Sequence, residues 1–195
     1  MTMDRDKMTE GIRIFVEGIG ERFEGDDLDR TPKRVARAWA EDLIAGYGSD
    51  AERELTWSPA PEGTGLVLVR DIGFASVCVH HLLPFVGVAN VAYLPGARLA
   101  GLSKIGRVVE AHARRLQIQE RLTSAILGTL TDVLEPRGAL VQLEALHTCM
   151  TLRGARKERS RLVTMSASGL FENDSGARRE ILDLLAANVS SPTSR

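Results

Sequence analysis

Apolar residues recur along this chain in two rhythms, and the switches between them divide it into segments. Ile12, Phe15, Val16, Ile19 and Phe23 are spaced by three or four residues, which puts them on one helical face and predicts an amphipathic helix from Thr9 to Phe23. A second helix is predicted at Thr31-Pro32, with Thr31 as its cap and Pro32 in the first helical position, where a missing N–H costs nothing. Val35, Ala38, Trp39 and Leu43 share its face, Asp42 is the polar exception, and Gly46 and Gly48 end it. Ser58 to Gly65, with Pro59, Pro61, Gly63 and Gly65, reads as a loop that separates a helical N-terminal part, residues 1–57, from residues 58–195.

Past that loop the rhythm changes. Leu66 to Val69, Phe74 to Val79 and Val86 to Leu94 are short and rich in β-branched residues, with Pro84 and Pro95-Gly96 as punctuation, and they predict strands. From Ser103 to about Leu134 the helical period returns, first through Ile105, Val108, Val109 and Leu116, then through Leu122, Ile126, Leu130 and Val133, until Pro136-Arg137-Gly138 closes the section. Ala139 to Ala145 alternates apolar and polar positions, Arg161 to Ala167 reads as a further strand, Gly176 to Ala187 as a short helix, and Ser190 to Arg195 as a frayed tail. Strands, a helical pair and then strands again predict an α+β fold.

Composition narrows the partners. With 25 basic against 26 acidic residues and a net charge of -1, the chain offers no global attraction for nucleic acid or an anionic membrane, so any anion site must be local. Met1 to Glu10 is charged and lacks the apolar core of a signal peptide, and no apolar run approaches the ~20 residues that span a bilayer. These features point to the cytoplasm, where cysteines favour ligation or the free thiol over a disulfide.

The candidate chemistry is concentrated. Both cysteines and three of the four histidines fall in Cys78-Val79-His80-His81 and His147-Thr148-Cys149. Thiolate and neutral imidazole are the ligands that Zn²⁺ prefers, so two such clusters predict one shared site. In an extended backbone His147 and Cys149 project from one face, whereas Cys78 and His81 share an ion only if the chain turns after Val79; Leu82, Leu83 and Pro84 are compatible with that turn. Cys78, His81 and Cys149 as the only protein ligands would leave a position open for water, whereas a further ligand from His80 or His147 would close the shell and make the site structural.

Gly101-Leu102-Ser103-Lys104-Ile105-Gly106-Arg107 is the second constellation. Ser103 is placed to cap a helix whose first turns carry Lys104 and Arg107, an arrangement suited to phosphate but also to ordinary solvated cations. Gln119-Glu120-Arg121 adds a carboxylate which, if buried, accepts a paired hydrogen bond from a guanine edge; a surface glutamate is the alternative. His112, Arg114 and Arg115 read as surface residues.

Taken in order, the segments 78–85, 92–95, 101–104, 115–123 and 147–150, followed by Arg153-Gly154, resemble the GTP cyclohydrolase I family. Arg30-Thr31-Pro32, Arg34-Val35-Ala36 and Trp39 resemble its helical N-terminal part, and the likeness runs from about Leu28 to Phe171. The resemblance implies a tunnelling fold, with an antiparallel sheet and a helical pair preceded by N-terminal helices, assembled as a homodecamer with active sites where subunits meet. It implies conversion of GTP to 7,8-dihydroneopterin triphosphate and formate, with Zn²⁺ held by Cys78, His81 and Cys149 and water attack at purine C8. His80 and His147 would act near the imidazole and ribose, Glu120 at the guanine, Ser103 beside the ribose, and Lys104, Arg107 and Arg153 on the triphosphate, with Gln119 a further substrate-binding residue.

The departures are specific. Val79 stands where the family has Glu, Asn90 where it has His, Thr148 where a larger residue is usual, and the segment 154–161 is unusually basic. Retention of every ligand, guanine and phosphate residue favours retained chemistry. The alternative is a divergent paralogue that takes another purine nucleotide or stops at the ring-opened intermediate, or a non-catalytic nucleotide-binding subunit.

Overall fold

Helix α1 (Arg5–Gly18) starts earlier than its apolar period indicates, because Asp4 accepts a hydrogen bond from the Lys7 backbone N–H (3.0 Å) and caps it. It also stops earlier, as Gly20 takes a left-handed φ of 88°. The computed structural model describes residues 2–23 and 26–187, so the tail read at Ser190 to Arg195 lies outside the described residues. Of the predicted α1 face only Val16 is buried, while Phe15 and Ile19 remain exposed within the single chain. Helix α2 (Asp26–Asp29) leads to α3 (Thr31–Ala38), whose cap is Arg30 rather than Thr31, with Pro32 still in the first turn. A π-helical turn (Trp39–Leu43) continues α3 and leaves Asp42 in solvent, off the buried face on which the regular helical period placed it. A 3₁₀ turn (Ala45–Gly48) and α4 (Ala51–Glu54) complete this part.

Strand β1 (Trp57–Pro59) pairs antiparallel with β4 (Arg98–Ala100), so the predicted loop at Ser58 begins inside a strand. The segments expected as two strands, Leu66 to Val69 and Phe74 to Val79, are one bulged strand, β2 (Val67–Cys78). The bulge lies between Val69 and Ile72, with Asp71 at a φ of 56°. Asn90 on β3 (Pro84–Leu94) holds it: the Asp71 N–H donates to its Oδ1 (2.9 Å), and its Nδ2 donates to Gln142 Oε1 (3.1 Å). A buried amide that both accepts and donates gives Asn90 a structural task.

Helix α5 (Leu102–Ala113), β5 (Leu116–Gln117) and α6 (Gln119–Leu134) form the helical section, with Leu116 in the short strand instead of a helix. They are followed by β6 (Gly138–His147), α7 (Thr148–Thr151), β7 (Leu162–Gly169), α8 (Leu170–Asn173) and α9 (Ser175–Ala186). The main sheet runs β5-β2-β3-β6-β7, antiparallel throughout except for the short parallel β5–β2 pair. One face buries Phe85, Val91, Tyr93, Val141 and Leu143 in a cluster with Ile105, Val109, Leu122, Ile126 and Leu130 of α5 and α6. At one end of the other face Ala92 and Leu140 pack with Phe171 and Ile181, so Gly138 to Val141 is buried throughout where alternation was expected. This is the predicted α+β arrangement, an antiparallel sheet with a helical pair preceded by N-terminal helices. Among the described residues no helix is long and apolar enough to cross a membrane.

His112 and Arg115 are not the surface residues that the sequence suggests. Arg115 donates to the carbonyls of Gly46, Ala111 and Ser49, and its guanidinium lies 5.8 Å from the centre of the Tyr47 ring, so it ties the N-terminal turns to the end of α5. Gly46 makes that approach possible: a Cβ there would sit 2.4 Å from the Ala111 carbonyl oxygen. His112 Nε2 lies 2.8 Å from Thr129 Oγ1 on α6. Burial, with the Arg115 charge nearby, lowers its pKa from 6.5 to about 4.

That shift has a sign. Between pH 6.5 and about 4 the unfolded chain binds a proton that the folded chain refuses. The His112 contribution to stability is therefore intact above this window and is lost as pH falls through it. Urea midpoints measured at about pH 7.5 and about pH 5 should separate further in the wild type than in His112→Gln, whose side chain stays neutral at both.

Candidate active site

The turn between β2 and β3 is pinned at its base. Cys78 N–H donates to the Leu83 carbonyl (2.9 Å), Leu82 N–H donates to the Cys78 carbonyl (2.9 Å), and Val79 N–H donates to the Gln117 carbonyl on β5 (3.0 Å). Leu82 takes a left-handed φ of 53° to close the loop. The turn expected after Val79 is thus present, and it folds His81 back so that its Nδ1 lies 3.7 Å from Cys78 Sγ, with His80 Nδ1 at 3.9 Å.

Cys149 arrives from the other side, by a route the sequence did not suggest. The extended geometry expected for His147 and Cys149 ends at His147, and Cys149 sits in the first turn of α7. Thr148 Oγ1 donates to the Pro84 carbonyl (2.5 Å) and fastens this turn to the start of β3. The helical turn separates the two side chains: His147 faces Phe85 and Gln119, while Cys149 joins the cysteine and histidine of the hairpin. The ligand atoms of Cys78, His81 and Cys149 all lie within 4.8 Å of one another, and among the described residues no other trio of His, Cys, Asp or Glu converges in this way.

This donor set fits zinc. Ligands at 2.0–2.3 Å from a tetrahedral ion stand about 3.6 Å apart, close to the Cys78–His81 separation. Burial pushes the Cys149 thiol pKa up, the nearby Cys78 pushes it further, and the charge of Arg153 opposes both. Two thiols held this closely favour their protons unless a cation compensates, and a divalent ion is the compensation that deprotonates both. Cys78 is buried, Cys149 half-buried and His81 exposed, so the trio is open to solvent on the His81 side.

His147 ends β6 opposite Phe85 and stacks on its ring, with centroids 4.4 Å apart and planes within 8°. Its Nε2 lies 2.8 Å from Gln119 Oε1. Burial holds its pKa below the usual histidine range, against an upward pull from the Glu120 charge. Glu120 itself is exposed in the first turn of α6, so the single chain does not supply the buried carboxylate setting considered for it. Gln119 is 1% exposed, and its Nε2 shares its two hydrogens among the carbonyls of Leu143 and Leu162 and Thr164 Oγ1.

The remaining candidates lie on α5. Gly101 is its cap, so Ser103 sits inside the first turn and does not terminate the helix as expected. Arg107 pairs with Glu54 (3.4 Å) at a cleft of about 250 Å³ also lined by Glu110 and Arg114. Among the described residues no hydrogen bond or ion pair joins Ser103, Lys104 or Arg107 to the cysteine and histidine cluster. Sequence reasoning missed Phe85, Thr123 and Thr164, which support His147 and Gln119; their only sequence signal is the strand register that sets Phe85 opposite His147.

A family profile described as GTP cyclohydrolase I matches residues 8–186. A relative from Gloeobacter violaceus named GTP cyclohydrolase 1 is 48% identical over 181 residues, covering 92% of this chain and 84% of that protein. One of the same name from Geobacillus kaustophilus is 46% identical over 177 residues, covering 90% and 94%. The crystal structure of the archaeosine synthase QueF-Like in the apo form overlays loosely, with a TM-score of 0.46 and 16% identity over 55% of this chain and 97% of that one.

The geometry makes metal retention testable without any substrate. Zinc analysis after gel filtration should find close to one equivalent per chain in the wild type and a loss of at least ~10-fold in affinity in Cys149→Ala. Thr148→Val, which removes only the hydroxyl tie to Pro84, should weaken binding less than loss of the thiolate.

Proposed function

Since the chain belongs to the GTP cyclohydrolase I family, we propose that it is a zinc-dependent enzyme that opens the imidazole ring of GTP at C8, releases formate and yields 7,8-dihydroneopterin triphosphate. The observation that carries this reading is the meeting of Cys78, His81 and Cys149 beside His147 in a chain of this family. Zinc bound by the three would supply a Lewis acid and lower the pKa of bound water to about 7. The protein's own groups supply the rest. His147 and His80 move protons at the imidazole and ribose, and Glu120 accepts hydrogen bonds from the guanine edge. Ser103 lies beside the ribose, and Lys104, Arg107 and Arg153 hold the triphosphate.

The division of these residues into two groups supports an oligomer, which we take to be a homodecamer working in the cytoplasm, with residues 58–195 as the catalytic domain. Among the described residues no hydrogen bond or ion pair links Ser103, Lys104 or Arg107 to the Cys78 cluster, so the two halves of a site are readily supplied by neighbouring subunits. Exposed Phe15 and Ile19 on α1 and Val86, Val163 and Met165 on the sheet are apolar surface for such contacts.

Val79 favours keeping a second reading. It sits in the turn among the ligands, 37% exposed, and brings no carboxylate to a position where the family motif has one. That fits a paralogue that acts on another purine nucleotide or stops at the ring-opened intermediate, or a subunit that binds the nucleotide without turnover. Incubation with GTP and zinc should release formate and, after oxidation, a fluorescent pterin; intact GTP under these conditions overturns the leading reading. Mass spectrometry of the products from several purine nucleotides separates the alternatives. Val79→Glu should leave products unchanged if the difference is neutral, and a changed product would assign the specificity to this position.

A further inference from the structure

The hydrogen bonds around Gln119 run in one direction only. Its Nε2 contacts the carbonyl oxygens of Leu162 (3.0 Å) and Leu143 (3.2 Å), which can only accept, so the nitrogen end of the amide is identified and Oε1 must be the end facing His147. The hydroxyls agree. Thr123 Oγ1 donates its single proton to the Gln119 backbone carbonyl (2.8 Å), so in its 2.6 Å contact with Thr164 it accepts, and Thr164 Oγ1 is left to accept from Gln119 Nε2 (3.1 Å). An amide oxygen has no proton to give. The 2.8 Å contact therefore requires a hydrogen on His147 Nε2.

Gln119 cannot turn over to reverse this. Turning it would set its oxygen against two carbonyls in a site that is 1% exposed, leaving buried acceptors without donors. The Phe85 ring, parallel to the imidazole within 8°, fixes the remaining rotation of His147. Among the described residues the His147 side chain makes no further hydrogen bond.

We propose that Gln119 is a positioning residue that locks His147 in the Nε2–H tautomer and leaves Nδ1 as its free acceptor nitrogen. This reassigns Gln119 from substrate binding to positioning. The tautomer follows from the network itself, while the role of Nδ1 rests on the cyclohydrolase reading.

The test separates the two. Magic-angle-spinning ¹⁵N spectra of the zinc-loaded, histidine-labelled full chain, with His147 assigned through His147→Gln, should show protonated Nε2 and bare Nδ1; a proton on Nδ1 in the neutral ring overturns the proposal whether or not the protein turns over GTP. In steady-state kinetics Gln119→Met, which removes the acceptor, should lower kcat ~10- to 100-fold with KM within ~3-fold and zinc content unchanged. Gln119→Glu, whose protonated acid both donates to a carbonyl and accepts from Nε2–H, should recover most of that loss. A raised KM at unchanged kcat would mark Gln119 as a substrate contact, and equal losses in both variants would remove the acceptor role; either result overturns the proposal. If Gln119→Met does not fold, the wild-type spectrum decides alone. A wild type without activity refutes the cyclohydrolase reading and leaves the tautomer to the spectrum.

Discussion

Strand β3 is paired along its length on both sides, and its register decides where the chemistry falls. Against β2 it sets Val77 opposite Pro84, which places Cys78 at the mouth of the hairpin; against β6 it sets Phe85 opposite His147, which brings the second cluster to the same end of the sheet. A slip of one residue in either ladder would turn every side chain to the other face and part the two clusters. The register is well protected. Phe85, Ala89, Val91 and Tyr93 are wholly buried on the helical side, and Gly87 lies so close to β6 that a Cβ would come within 2.0 Å of the Glu144 carbonyl oxygen. Core packing and site assembly are thus one constraint.

From that register follows an electrostatic one. Bringing two thiols and an imidazole together in a partly buried site raises the cost of ionising the sulfurs, as the upward shift at Cys149 indicates, and Arg153 offsets only part of it. The cluster is therefore poorly suited to be a pair of free thiolates and well suited to a divalent cation, whose binding would add to the stability of the hairpin turn and of α7 together. Thr148 prepares this coupling, because its bond to the Pro84 carbonyl already links the two ligand-bearing turns.

Much of this was legible in the sequence where periodicity and turn chemistry agreed. The helical pair, the strands of the sheet and the turn after Val79 all follow from local patterns, and so does the pairing of Cys78 and His81 with Cys149 by ligand type. What was not legible depended on partners far along the chain. Arg70-Asp71 looked like a break between two strands because the amide that holds the bulge, Asn90, comes from the next strand. His112 and Arg115 looked like surface residues because their partners, Thr129 and the carbonyls of Gly46 and Ser49, belong to other elements. Gln119 was expected as a substrate-binding residue, because the acceptors that hold its amide come from β6 and β7. Spacing likewise placed His147 and Cys149 on one extended face, since a period of two cannot anticipate that Thr148 begins a helical turn.

The best-placed cation on α5 is held only loosely. Arg107 has a partner in Glu54, but at 3.4 Å and with both side chains about half exposed the pair is the kind that contributes at most ~1 kcal/mol. Such a pair yields readily to a stronger acceptor. A triphosphate carries several charges and can take several charge-assisted hydrogen bonds at once, each stronger than this contact. If the triphosphate of the proposed substrate binds Arg107, its exchange for the Glu54 carboxylate would couple binding to the N-terminal turns that Arg115 and Gly46 hold against the same helix.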